Sequence, residues 1–114
     1  MSRLKYKKCI PCEGGAIPFD VSEIHKYQKK VDGWNILKND KNIFFIEKDF
    51  TFKNFKYSQN FVNKVGEISE EEGHHPDIVF GWGYAKIKIT THAIDGLSEN
   101  DFILAAKIDQ LINA

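Results

Sequence analysis

Between Tyr84 and Thr91, Ala85, Ile87 and Ile89 alternate with Lys86, Lys88 and Thr90. That period of two puts every apolar side chain on one face of a strand and every polar one on the other. A strand written this way belongs to a sheet with one face in water and one face covered, and the cover must come from elsewhere in the chain. By the same count His92 falls on the polar side, just past the strand.

The covering elements are legible as helical stripes. Asp20 offers a side-chain cap to a helix predicted over Val21–Val31, with Ile24, Tyr27 and Val31 on one face, and Asp32-Gly33 stops it. A second helix is predicted over Phe55–Glu72, with Phe61, Val62, Val65 and Ile68 as its buried stripe and Gly73 as a glycine C-cap. Ser98 can cap a third, running to about Asn113, with Phe102, Ala105, Ala106, Ile108, Leu111 and Ile112 on its apolar side. Strands are predicted at Trp34–Leu37, Ile43–Phe50, Ile78–Trp82 and Tyr84–Thr91. The order α-β-β-α-β-β-α makes an α+β single domain: a four-stranded antiparallel sheet with helices on one face. Residues 1–19 read as an N-terminal extension, punctuated by Gly14, Gly15 and two prolines, and residues 20–114 as the domain.

Composition narrows the function classes. The 114 residues carry 16 basic and 16 acidic side chains, so no net field draws the chain to nucleic acid or to an anionic membrane. The basic start, Met1 to Lys8, is followed by no apolar run, and nothing approaches the length of a membrane span; the expected compartment is the cytoplasm. The two cysteines, Cys9 and Cys12, form a single CxxC. Half a zinc site, a redox pair and two reduced thiols near a mobile terminus all fit it, and the last is favoured because no second pair stands at ligand spacing.

The chemistry concentrates in one segment. In Glu70-Glu71-Glu72-Gly73-His74-His75-Pro76-Asp77, three carboxylates occupy the last turn of a helix, where the macrodipole disfavours negative charge, and two imidazoles follow without a spacer. Pro76 steers His75 towards extended backbone. Breaches of local preference of this kind gather at functional sites, although an acidic, solvated helix end followed by two exposed histidines satisfies the same letters. If the third and fourth strands form a hairpin, His74 and His75 meet His92 at one end of the sheet. Imidazole can donate or accept a proton near neutrality, which suits general acid–base work.

The pattern resembles the pterin-4a-carbinolamine dehydratase family. Glu70 leads, His74-His75-Pro76 follows, Trp82 takes the aromatic place, His92 the third histidine and Asp101 the closing acid. The resemblance covers roughly Gly33 to Ile112. Gly73 departs from it, standing where many relatives carry a polar residue, so only backbone contact survives there. The resemblance implies dehydration of 4a-hydroxytetrahydropterin to quinonoid dihydropterin, which recycles the cofactor of aromatic amino acid hydroxylases. It needs no metal and no bound cofactor. It implies His74 and His92 as the acid–base pair, His75 in binding and orientation, and Glu70 tuning or orienting a histidine. Substrate contacts are expected from Glu70, Gly73, His74, His75, Pro76, Thr90, Thr91 and His92, with Trp82 and Asp101 in support.

Asp101 serves equally well as a plain helix-start acid, and Trp82 as plain hairpin packing. His25, on the first helix, is left outside the site. The expected partners are a small-molecule pterin and further copies of the chain, as a homodimer or homotetramer, with no nucleic acid bound directly and no membrane. Two rivals stand beside the enzyme: a non-catalytic pterin-binding, assembly or coactivator protein on the same fold, and a zinc protein using Cys9, Cys12 and the histidine pair.

Overall fold

Asn35–Lys38 (β1), Phe44–Thr51 (β2), Asp77–Gly81 (β3) and Tyr84–Ile89 (β4) form one antiparallel sheet in the spatial order β1-β2-β4-β3. The structure, a computed structural model, describes residues 3–10 and 16–113. Three helices complete it: Val21–Gln28 (α1), Phe55–Glu72 (α2) and Glu99–Asn113 (α3). The element order is the one the sequence predicts.

The alternation in β4 does what its period requires. Ala85, Ile87 and Ile89 are fully buried, while Lys86 on the opposite face is exposed. Register aligns the inward residues across the strands: Ile46 opposes Ile89, Phe50 opposes Ala85, and Ile78 opposes Ile87. Ile24 of α1, Phe61 and Val65 of α2, and Phe102 and Ile108 of α3 join the same apolar cluster, so the helices share one face of the sheet. The ring centroids of Phe50 and Phe61 lie 4.7 Å apart. Burying side chains of this size contributes about 1.5–3 kcal/mol each, which is how a sheet with one wet face is stabilised.

Local chemistry sets the element ends. Asp20 caps α1 by accepting from Glu23 N, and Asn54 caps α2 by accepting from Tyr57 N. Helix α1 ends at Gln28 rather than Val31, because the next amides bond three residues back, Lys30 N to Tyr27 O and Val31 N to Gln28 O. Val31 still packs against the core from that tightened turn. Strand β3 ends one residue early, at Gly81, which leaves Trp82 on the two-residue turn with Gly83 at φ 82°. Strand β4 ends at Ile89 rather than Thr91, since both threonines turn inward and are buried.

One inward position breaks the apolar rule. Lys48 shares a face with Ile46 and Phe50, and its Nζ lies 2.8 Å from Oδ1 of Asp109 on α3, with the Asp109 carboxylate also accepting from Nε1 of buried Trp34. A charge this shielded needs its partner, and it has one.

The N-terminal segment also differs from an unattached lead-in. Leu4–Tyr6 makes a single 3-10 turn against α3, and Leu4 belongs to the buried core. Cys12, Gly14 and Gly15 lie outside the described residues. Among the described residues, no helix is long and apolar enough to cross a membrane.

Candidate active site

Helix α2 stops at Gly73, whose left-handed backbone (φ 64°) lets the amides of both Gly73 and His74 bond to Ser69 O. A side chain at this position meets the strain of positive φ, while the space beside it is open. Pro76 prevents the helix from resuming. His74 and His75 point to different surroundings: the side chain of His74 is 12% exposed and that of His75 is 60% exposed. His74 turns inward, with Nε2 2.7 Å from Oδ1 of Asp101. His75 turns outward, with Nε2 against Oε2 of Glu70, one turn back on α2.

The three carboxylates that end α2 are thereby distributed. Glu70 faces His75. Glu72, nearly buried, accepts from the Cys9 amide at 2.8 Å through Oε1 and lies 3.8 Å from Lys107 Nζ through Oε2. Glu71 is exposed. Each of the two placed acids gains a donor that offsets its unfavourable position at the helix C-terminus.

On the neighbouring strand, Thr90 donates to Phe44 O at 2.8 Å, and the backbone of Thr91 pairs with Gly96 in an isolated bridge. The bridge closes a short loop in which His92–Ile94 forms a 3-10 turn and Asp95 adopts φ 51°. His92 lies beyond the end of β4, exposed on the first residue of that turn. The antiparallel pairing of Asp77 with Lys88 brings this loop and the His74-His75 pair to the same end of the sheet.

Asp101 joins the two halves. Its carboxylate has no exposure. Oδ1 faces His74, and Oδ2 accepts from Thr91 Oγ1 and from Ser98 N, both at 2.8 Å. The Ser98 amide bond is the return half of a capping box, so Asp101 starts α3 and holds a histidine at the same time. With the carboxylate as acceptor, the bond to His74 takes a proton on Nε2, and a neutral imidazole then offers Nδ1 as a proton acceptor.

An open pocket of about 340 Å³ lies against His74 and Thr91. Gly73, His74 and His75 come from the α2–β3 junction, Thr90, Thr91, His92 and Ala93 from the end of β4, Asn100 from α3, and Cys9 and Ile10 from the N-terminal segment. The structure thus brings together the three histidines, Gly73 and both threonines. Glu70 reaches the site through His75, and Pro76 shapes the turn without lining the pocket. Trp82 is not brought there: it sits on the β3–β4 turn at the opposite end of the hairpin, 71% exposed. His25 is exposed on α1.

Sequence reasoning misses Cys9, Ile10, Ala93 and Asn100. Asn100 accepts from Ile10 N at 2.9 Å and donates to Ile10 O, and Cys9 Sγ lies 3.6 Å from Asn100 O. Beside it, Glu99 accepts from Lys7 Nζ at 2.9 Å and from Tyr27 OH at 3.0 Å. The bond from Lys7 holds the Glu99 carboxyl below its ordinary 4.5 against the opposing effect of burial, while burial, followed by the Glu99 bond, raises the Tyr27 phenol above 10.0. No group of three His, Cys, Asp or Glu among the described residues converges as a metal site.

The chain is similar to known proteins over nearly its whole length. The family described as "Pterin 4 alpha carbinolamine dehydratase" matches residues 17–111. A protein of Rubrobacter xylanophilus named "Putative pterin-4-alpha-carbinolamine dehydratase" is 45% identical over 111 residues, 97% of this chain and 100% of its own. A protein of the same name from Nitrosospira multiformis is 49% identical over 108 residues, 95% of this chain and 91% of its own. Among solved structures, a transcriptional coactivator/pterin dehydratase from Brucella melitensis superposes with a TM-score of 0.74 at 26% identity, covering 82% of this chain and 97% of that one. A pterin dehydratase-like protein identified as a RuBisCO assembly factor in the alpha-carboxysome superposes with a TM-score of 0.61 at 26% identity, covering 72% and 92%. With the family match spanning residues 17–111 and relatives aligned over nearly the whole chain, the chain belongs to the pterin-4a-carbinolamine dehydratase family.

Proposed function

We propose that the chain dehydrates 4a-hydroxytetrahydropterin to quinonoid dihydropterin by histidine acid–base catalysis, returning the pterin used by aromatic amino acid hydroxylases. The observation that carries the proposal is the buried Asp101 carboxylate bonded to His74 on the wall of a pocket that His75 and His92 also line. Loss of water from the substrate requires the C4a–O bond to break with a proton delivered to oxygen, and the N5 proton to leave as the C=N bond forms. His74, holding its proton on Nε2 towards Asp101, accepts the N5 proton at Nδ1, and the charge it gains forms against that carboxylate. His92, exposed on its 3-10 turn, protonates the departing hydroxyl. His75 and the backbone at Gly73 and Thr91 orient the ring. The two histidines exchange roles for the hydroxyl on the opposite face of the pterin.

The test is dehydration of freshly generated 4a-hydroxytetrahydropterin, followed as quinonoid formation by stopped-flow absorbance, for wild type and a His74→Ala/His92→Ala double variant against the uncatalysed rate. Acceleration by wild type alone supports the reaction and its histidine mechanism together. No acceleration by either folded protein removes the dehydratase reading and leaves a binding or assembly role, of the kind for which the two solved neighbours are named.

A further inference from the structure

The family match begins at residue 17, yet the chain before it reaches the pocket. Leu4 anchors the segment in the core, Lys107 Nζ donates to Lys5 O at 2.9 Å, and Lys7 pairs with Glu99. If stability were the segment's whole role, these ties would suffice. The segment continues, however, and its last two described residues are pinned to the positions that flank the His74–Asp101 pair in sequence. Cys9 N bonds to Glu72, two residues before His74, and Ile10 bonds through both backbone groups to the side chain of Asn100, the residue before Asp101. Asn100 is itself buried, 7% exposed, and its side-chain carbonyl and amide both bond to Ile10 of another segment. The residue whose backbone it holds carries an apolar side chain and is 69% exposed on the pocket wall. An apolar group held in water by a buried two-point clamp is suited to be covered by a ligand.

We infer that Ile10, positioned by Asn100, is part of the substrate-binding wall and sets how tightly the pterin is held, so that the segment preceding residue 17 determines affinity. The inference rests on the proposed pterin reaction. Ile10 touches the part of the substrate that the imidazoles leave uncovered, and takes no part in proton transfer. Asn100 is a positioning residue acting through Ile10.

The experiment measures KM and kcat for 4a-hydroxytetrahydropterin and, separately, the equilibrium Kd for 7,8-dihydrobiopterin, in the full chain carrying Ile10→Ala, Ile10→Leu, Asn100→Ala or, as a control away from the pocket lining, Lys8→Ala. Ile10→Ala raises KM and Kd by roughly 5- to 10-fold while kcat stays within about twofold, because the lost contact is made equally in the bound and transition states. Ile10→Leu restores binding, and Lys8→Ala leaves it alone. Asn100→Ala follows Ile10→Ala; should it not fold, the two Ile10 variants decide the matter. Unchanged KM and Kd in folded Ile10→Ala overturn the inference and leave the pterin reaction standing. A wild type that neither binds dihydrobiopterin nor accelerates dehydration overturns both.

Discussion

Nε2 of His74 and Oδ1 of Asp101 stand 2.7 Å apart, joining the end of α2 to the first turn of α3 across 27 residues of sequence. Asp101→Asn keeps the shape of that side chain and exchanges one acceptor for a donor. One of its donors, from His74, Thr91 or Ser98, then faces another donor. Turnover is expected to fall by roughly 10²-fold or more, as for loss of a correctly placed acid–base group. Stability is expected to drop by about 1–3 kcal/mol from the unsatisfied buried bond. Stopped-flow turnover and a urea melt of the same preparation read the two effects; full turnover removes Asp101 from the mechanism.

His92→Ala separates chemistry from folding more cleanly. His92 is exposed on the 3-10 turn after β4, so its removal is expected to change stability by no more than about 0.5 kcal/mol. Turnover is expected to fall roughly 10²-fold. A variant as active as wild type excludes His92 as an acid–base group.

Ile87 is fully buried at the centre of the sheet, opposite Ile78 on one side and Lys48 on the other. Ile87→Ala is expected to destabilise by about 2–5 kcal/mol through lost burial and the cavity left behind. A denaturant midpoint equal to wild type contradicts the assignment of the inward face.

The Glu99 carboxyl is held below its ordinary 4.5 chiefly by the Lys7 hydrogen bond, so the folded state binds its proton less readily than the unfolded state. Its stabilising contribution is therefore complete above that ordinary value and is lost as pH falls through the depressed one. Its side chain is 33% exposed, so screening limits the effect to roughly 0.2–1 kcal/mol. Melting curves of wild type and Glu99→Gln are expected to differ at neutral pH and converge in acid. The raised Tyr27 phenol has the opposite sign, contributing below 10.0 and fading above it. A gap between the two curves that widens in acid contradicts the Glu99 assignment.

The fold was legible where one periodicity dominated. The stripe ending at Glu72, the alternation of Ala85, Ile87 and Ile89, and the glycine stop at Gly73 each report a single local requirement, and the structure meets them. The His74, His75 and His92 convergence was legible because a hairpin leaves its two ends side by side. Asn100 and Ile10 were not, because their pairing depends on the N-terminal segment docking on α3, and neither residue type announces a partner 90 positions away. Trp82 was read towards the site because aromatic spacing says nothing about which end of a five-residue strand a turn occupies. The inward position of Lys48 is not legible in the sequence, because its partner, Asp109, comes from α3.

That inward lysine has a consequence for how the chain finds its sheet. Strand β2 lies between β1 and β4 and contains no proline or glycine to mark its alignment. Slipping it by one residue would swing Lys48 into water and turn Glu47 and Asp49 towards the α3 side, where Asp109 waits beneath Trp34. The correct alignment meets attraction there and the misaligned one meets repulsion between like charges. The ion pair thus adds a charge preference for the native alignment to the one that buried Ile46 and Phe50 already impose.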